Sequence, residues 1–214
     1  MLLPLFRMLF NSDQFFKGLF LLLFMTLFLF ESKAQSKSPA DRLLQRGDTL
    51  SPIELRDLKN KPFITPGIGE KVLLIFYPDP DNPHQNDYFV EQSKQWKFPL
   101  DEFLAYGIVN LKDTPYPNPV IRFMLRMLRK RSKREANALV LTDPKGTLQK
   151  EWNTGDCNNA ITILVVDKTG EVLFFKAGKL DEEETSFVIK EICDHLTTSH
   201  KMTPEEMKEF ELDE

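Results

Sequence analysis

The sequence predicts an α/β domain built on a mixed β-sheet with helices on both faces, and three observations carry that reading. Val72 to Tyr77 is an unbroken apolar run bounded by Lys71 and Pro78, the pattern of a central strand buried on both sides. Two units then place an Asp-Pro-Lys-Gly or Asp-Lys-Thr-Gly turn after a β-rich run, at Ala138 to Gly146 and at Thr162 to Gly170. Between and after these strands lie segments with helical apolar spacing.

The elements follow in order. After the central strand, Asn82 suits an N-cap and Pro83 a first helical position, predicting a helix that reaches about Trp96. Tyr106 to Leu111 reads as the next strand. Pro119 opens a second helix whose Ile121, Met124, Leu125 and Leu128 form one stripe expected to be buried. Ala138 to Thr142 is a strand, and Thr147 to Trp152 is read as a further extended piece. Thr162 to Val166 and Glu171 to Lys176 pair as a hairpin. The last helix starts at Asp181, where Glu184 completes a capping box, and Val188, Ile189, Ile192 and Leu196 supply its apolar face. The order β, α, β, α, β, β, α with an antiparallel end is the thioredoxin-like arrangement.

Outside this domain the N-terminus is the clearest signal. Arg7 and Lys17 precede an apolar run from Gly18 to Phe30, and Ser32-Lys33-Ala34 places small residues at the −3 and −1 positions of a cut after Ala34. The run is about 13 residues, short of the roughly 20 that span a bilayer as a helix. Residues 1–34 are therefore expected to be a cleaved export signal, leaving a periplasmic or secreted chain with no membrane span. Residues 35–46 read as a linker, 47–197 as the domain, and 198–214 as an acidic tail, with Lys208 the one base after Pro204; the tail is expected to be solvated, the alternative being a short helix capped at Thr203-Pro204-Glu205-Glu206. The formal charge of −4 excludes a strongly basic nucleic-acid binder. Cys157 and Cys193 are too far apart in sequence for a Cys-x-x-Cys pair or a metal motif, and the fold is expected to keep them unlinked.

The residues also carry a resemblance. Gly47-Asp48, Pro52 to Leu58 and Lys71 to Phe76, followed by the two Asp-turn-Gly units, resemble the redoxin branch of thioredoxin-like proteins. Lys97-Phe98-Pro99, Gly107 to Asn110, the Trp152 neighbourhood and Ala177 to Leu180 resemble the YtfJ family of exported bacterial proteins, which implies a thioredoxin-like fold without an assigned activity. In redoxins that carry a Cys-x-x-Cys pair, the pair follows the first long strand. Here that place reads Asp81-Asn82-Pro83-His84, and Ala160-Ile161 stands where the resemblance implies a proline facing the thiols.

Three sets of residues are candidates for function. Asp79, Asp81, His84 and Asp87 cluster at the corner that the thiol pair would occupy, where carboxylates and an imidazole can bind a ligand or a divalent metal, or shape a turn and complement a helix N-terminus. Cys157 is the candidate redox thiol, in a polar loop that borders this corner and can expose it to solvent, although Asp156 beside it disfavours a thiolate and the alternative is a spectator thiol. Arg122, Arg126, Arg129, Lys130 and Lys133 form a candidate basic face for an acidic partner or lipid headgroups. No catalytic residue, metal or cofactor is assigned. The expected function is a non-catalytic exported binding or accessory protein that takes an exported partner or a small ligand; the alternatives are a thiol oxidoreductase or its helper using Cys157, and a metal-dependent activity at Asp79 to Asp87. N-terminal sequencing of the exported protein is expected to begin at Gln35, and a product that retains Met1 would contradict the signal.

Overall fold

In the computed structural model, residues 42–130 and 138–212 are described. The expected signal, most of the linker and the expected basic residue Lys133 lie outside them. Leu43–Glu214 forms one unit by its internal contacts.

The framework is a seven-stranded sheet in the order β2-β1-β6-β5-β3-β7-β8. Its strands are β1 (Glu54–Arg56), β2 (Pro62–Ile64), β3 (Val72–Pro78), β5 (Phe103–Asn110), β6 (Leu139–Asp143), β7 (Ile161–Val166) and β8 (Val172–Ala177). β3 runs parallel to β5, and β5 parallel to β6, while β7 and β8 return antiparallel beside β3. This is the thioredoxin-like mixed sheet with helices, extended at one edge by the β1–β2 hairpin. Alternation along β3 divides the core. Leu73, Ile75 and Tyr77 join Ile108, Leu141 and Trp152 on one face, and Val72 and Leu74 join Phe103, Ile163 and Ile192 on the other.

Helices α1 (Asp87–Ser93) and α4 (Glu182–Asp194) cover the second face through Phe89, Val188, Ile189 and Ile192. The Asp181–Glu184 capping box forms as the spacing predicts, with Glu184 N donating to Asp181 at 2.8 Å and Asp181 N to Glu184 at 3.0 Å. α1 is shorter than expected at both ends. Its expected first turn is spent on cross-loop bonds made by Gln85 and Asn86, and Trp96–Lys97 forms β4, paired with β9 (His200–Lys201).

Three further expectations are corrected. The piece after the first Asp-turn-Gly unit is a helix, α3 (Thr147–Glu151), because the Asp143 carboxylate accepts the N–H groups of Thr147 and Leu148, both at 2.8 Å, and so satisfies a helix start that extended chain would leave unused. The described part of the acidic tail takes the alternative reading, a capped helix. It forms α5 (Pro204–Leu212), begun by a reciprocal pair in which Thr203 N donates to Glu206 at 2.9 Å and Glu206 N to Thr203 Oγ1 at 3.3 Å. The N–H of Thr203, then His200, hold the Glu206 carboxyl down at about 2. Finally, α2 (Asn118–Leu128) buries Ile121 and partly buries Leu125 against Val109, Leu111 and Val140, but leaves Met124 and Leu128 54% and 38% exposed. The helix is rolled toward the β1–β6 edge because Arg122 donates to Thr142 and Arg126 to the Leu58 carbonyl there.

Candidate functional site

The corner that follows β3 is held shut by one side chain. Asp79 is fully buried, and its two carboxylate oxygens accept the N–H of Asp81 at 2.9 Å and of Asn159 at 2.7 Å. Its own N–H donates to the Ala160 carbonyl at 3.0 Å. The chain leaving β3 is thereby fastened to the chain entering β7. Pro78, Pro80 and Pro83 need no N–H partner here, which suits a turn that has few acceptors left over.

Two neighbours, Gln85 and Asn86, extend the same fastening and were not picked out from sequence. Gln85 accepts the Ile161 N–H at 2.7 Å. Asn86, almost fully buried, donates to the Gly178 carbonyl at 3.0 Å and accepts the Leu180 N–H at 2.8 Å. A pair of amide side chains beside an expected helix start is the only sequence signal for them, and it becomes specific only once the facing loops are known. Buried amides of this kind are conformational clamps, because each satisfied backbone group would otherwise cost roughly 1–3 kcal/mol.

The four expected corner residues therefore separate. Asp79 faces inward. Asp81 and the pair His84–Asp87, 3.1 Å apart, lie at the surface, with side chains 84% and 65% exposed in the pair. Among the described residues, no group of three or more His, Cys, Asp or Glu side chains comes together as a metal would require. Asp79 gives one oxygen to each of two backbone amides, those of Asp81 and Asn159.

Cys157 does not sit on an open loop. It is fully buried, packed with Trp152 and Tyr77, and its Sγ lies 3.4 Å from Thr154 Oγ1 and 3.8 Å from the Gly155 carbonyl. The expectation of a solvent-exposed thiol fails because the loop turns back on itself through left-handed residues at Asn153, Gly155 and Asn159, which drives the side chain between them inward. Tyr77 beside it donates to Asp143 at 3.3 Å, and burial, reinforced by Asp143, pushes its phenol far above the ordinary range. Cys193 is half-buried on α4, where burial pushes its thiol up, and both cysteines are free.

The expected basic face is also divided. Arg122 is buried against Thr142, with its guanidinium pushed down by burial and by Arg126 and Arg56 nearby, so it is no part of an outer surface. Arg126 donates to the Leu58 carbonyl at 2.6 Å while remaining exposed, Arg129 is half-buried, and Lys130 is exposed.

Residues 80–195 match the family described as "Bacterial protein of unknown function (YtfJ_HI0045)", which is more than half of the chain. The chain belongs to the YtfJ family. The match begins inside the corner and runs to the end of α4, so it takes in the Asp81–Asp87 turn, the Cys157 loop and the bonds that join them. No curated protein matches the sequence. Among solved structures, the chain is similar to the exposed lipoprotein thioredoxin Etrx1 of Streptococcus pneumoniae, at 15% identity over 66% of this chain and 99% of that one, with a TM-score of 0.49. It is also similar to a peroxiredoxin-like protein from Aquifex aeolicus, at 16% identity over 72% and 90% of the two chains, with a TM-score of 0.47. StoA from Bacillus subtilis is similar at 13% identity over 66% and 96%, with a TM-score of 0.43.

The division of the corner predicts unequal effects of mutation. Asp79→Ala removes the acceptor of the Asp81 and Asn159 N–H groups and is expected to lower stability by about 1–3 kcal/mol in urea denaturation. Asp81→Asn and His84→Gln, both at the surface, are expected to stay within about 0.5 kcal/mol of wild type. Equal and small effects at all three would show that Asp79 is not the fastening.

Proposed function

We propose that this YtfJ-family chain is an exported thioredoxin-like protein with a binding or accessory role, and that it does no thiol chemistry of its own. The observation that carries this reading is the state of the corner: Asp81 and His84 stand where the resemblance implies a redoxin's thiols, the buried Asp79 carboxylate fastens the turn, and Cys157 is fully buried. A thiol attacks a disulfide only as an accessible thiolate, so Cys157 would need its loop to open before it could react. The export signal in the first 34 residues supplies the second part of the proposal. Among the described residues no helix is long and apolar enough to cross a membrane.

A concave surface suited to a ligand lies on the sheet face beside α1. Because α1 stops at Ser93, the floor made by Leu74, Phe76 and Phe103 stays open, and Trp96, Phe98 and Met202 wall a pocket of about 600 Å³. Lys94, Lys97, Glu206 and Glu209 stand at its edge. A mainly apolar hollow with a few polar groups at its edge suits an apolar side chain of a partner protein or a small apolar molecule. The exposed Asp81, His84 and Asp87 at the corner offer a separate polar contact for a protein partner.

Insulin reduction in the presence of dithiothreitol tests the division between binding and catalysis. Wild type and Cys157→Ser are expected to give the same background rate. Turnover above background that Cys157→Ser abolishes would overturn the proposal and make Cys157 a nucleophile.

A further inference from the structure

α2 is seated on the sheet by a narrow face and shows an apolar one to the outside. Ile121 and Leu125 point at the sheet, and Arg122 and Arg126 turn to the β1–β6 edge. The rest of the helix is uncovered: Val120, Phe123, Met124 and Met127 are 46%, 56%, 54% and 48% exposed, and Leu128 is 38% exposed. At about 100° per residue these positions form one continuous stripe down the helix. Single exposed apolar residues are ordinary, whereas a contiguous stripe marks a surface that meets something.

Charge says what it meets. From Thr114 to Arg134 the sequence holds no acidic residue, although the whole chain is formally −4. Arg129 and Lys130 follow the end of the stripe in sequence, and Arg131, Lys133 and Arg134 come next. Beside that end, a groove of about 450 Å³ has Leu58, Phe63 and Val140 in its lining, with Arg126, Arg129 and Lys130 also bordering it. On the neighbouring edge strand β2, Phe63 and Ile64 are exposed as well. Apolar area next to concentrated positive charge complements acyl chains beneath anionic headgroups. No polar side chain interrupts the stripe to set the register of a protein partner.

We propose that α2 is a peripheral membrane contact, lying on an anionic lipid surface with Phe123, Met124 and Met127 in the acyl boundary and the cations of its C-terminal end at the phosphates. The contact is reversible, because one helix of three turns buries far less apolar area than a spanning segment. It does not depend on the binding role proposed for the pocket.

The test reads α2 alone, so that the apolar N-terminal run of the full chain does not obscure it. An environment-sensitive fluorophore is placed on Met127→Cys, in a Cys193→Ser background, and titrated with phosphatidylcholine vesicles that contain or lack about 30% phosphatidylglycerol. Emission is expected to shift to the blue on the anionic vesicles only and to return when salt screens the headgroups. Phe123→Ser is expected to weaken the partition about tenfold, and Lys130→Gln about fivefold, the worth of one cation near such a surface. Both side chains are exposed, and circular dichroism confirms that the variants keep the fold. Equal shifts on neutral and anionic vesicles, or none on either, would overturn the proposal. So would a blue shift without vesicles that grows with protein concentration, which would assign the stripe to a second copy of the chain.

Discussion

Asp79 is the point on which the corner depends. Burying a carboxylate is costly unless its oxygens are satisfied, and here they are satisfied by backbone N–H groups from two loops separated by some eighty residues of sequence. That arrangement joins the exit of β3 to the entrance of β7, the same place where thioredoxin-like proteins with a thiol pair carry out exchange. Asp79 stands two residues before the place of the redoxin thiol pair, where this chain has Asp81 and His84. Gln85 and Asn86 reinforce the closed turn from further along the chain.

The consequences spread across one face of the sheet. α1 is short at both ends: Gln85 and Asn86 are taken up by the fastening before it, and after Ser93 the chain passes into β4, so the helix does not extend over the neighbouring part of β3 and β5. The uncovered floor becomes the apolar pocket, walled instead by the β4–β9 ribbon and the start of the C-terminal helix. Glu102 ties the far end of the same face together. It accepts from Lys168 and Thr197, and those two bonds hold its carboxyl at about 2.

The sheet was readable from sequence because its strands carry their burial in their own residues. VLLIFY at 72–77 and the Asp-turn-Gly units need no knowledge of distant partners, and the capping box at Asp181 is local by nature. What was not readable depends on chain segments far apart. Asp79 and Asp81 look alike in sequence, yet only the approach of Asn159 buries one of them. Cys157 looked exposed because its loop is polar, but left-handed Asn153 and Asn159 curl the loop around the thiol. The stripe on α2 has the spacing of a buried face, and only the docking of Arg122 against Thr142 shows that much of it points outward.

Amide hydrogen exchange at the corner tests most directly whether this turn is a closed structural element. Because the N–H groups of Asp81 and Asn159 end on a fully buried carboxylate, both are expected to exchange only through openings that also release the neighbouring strand amides, with protection close to that of β3. Fast exchange at these two amides, with β3 still protected, would show a corner that opens on its own, and would contradict the account.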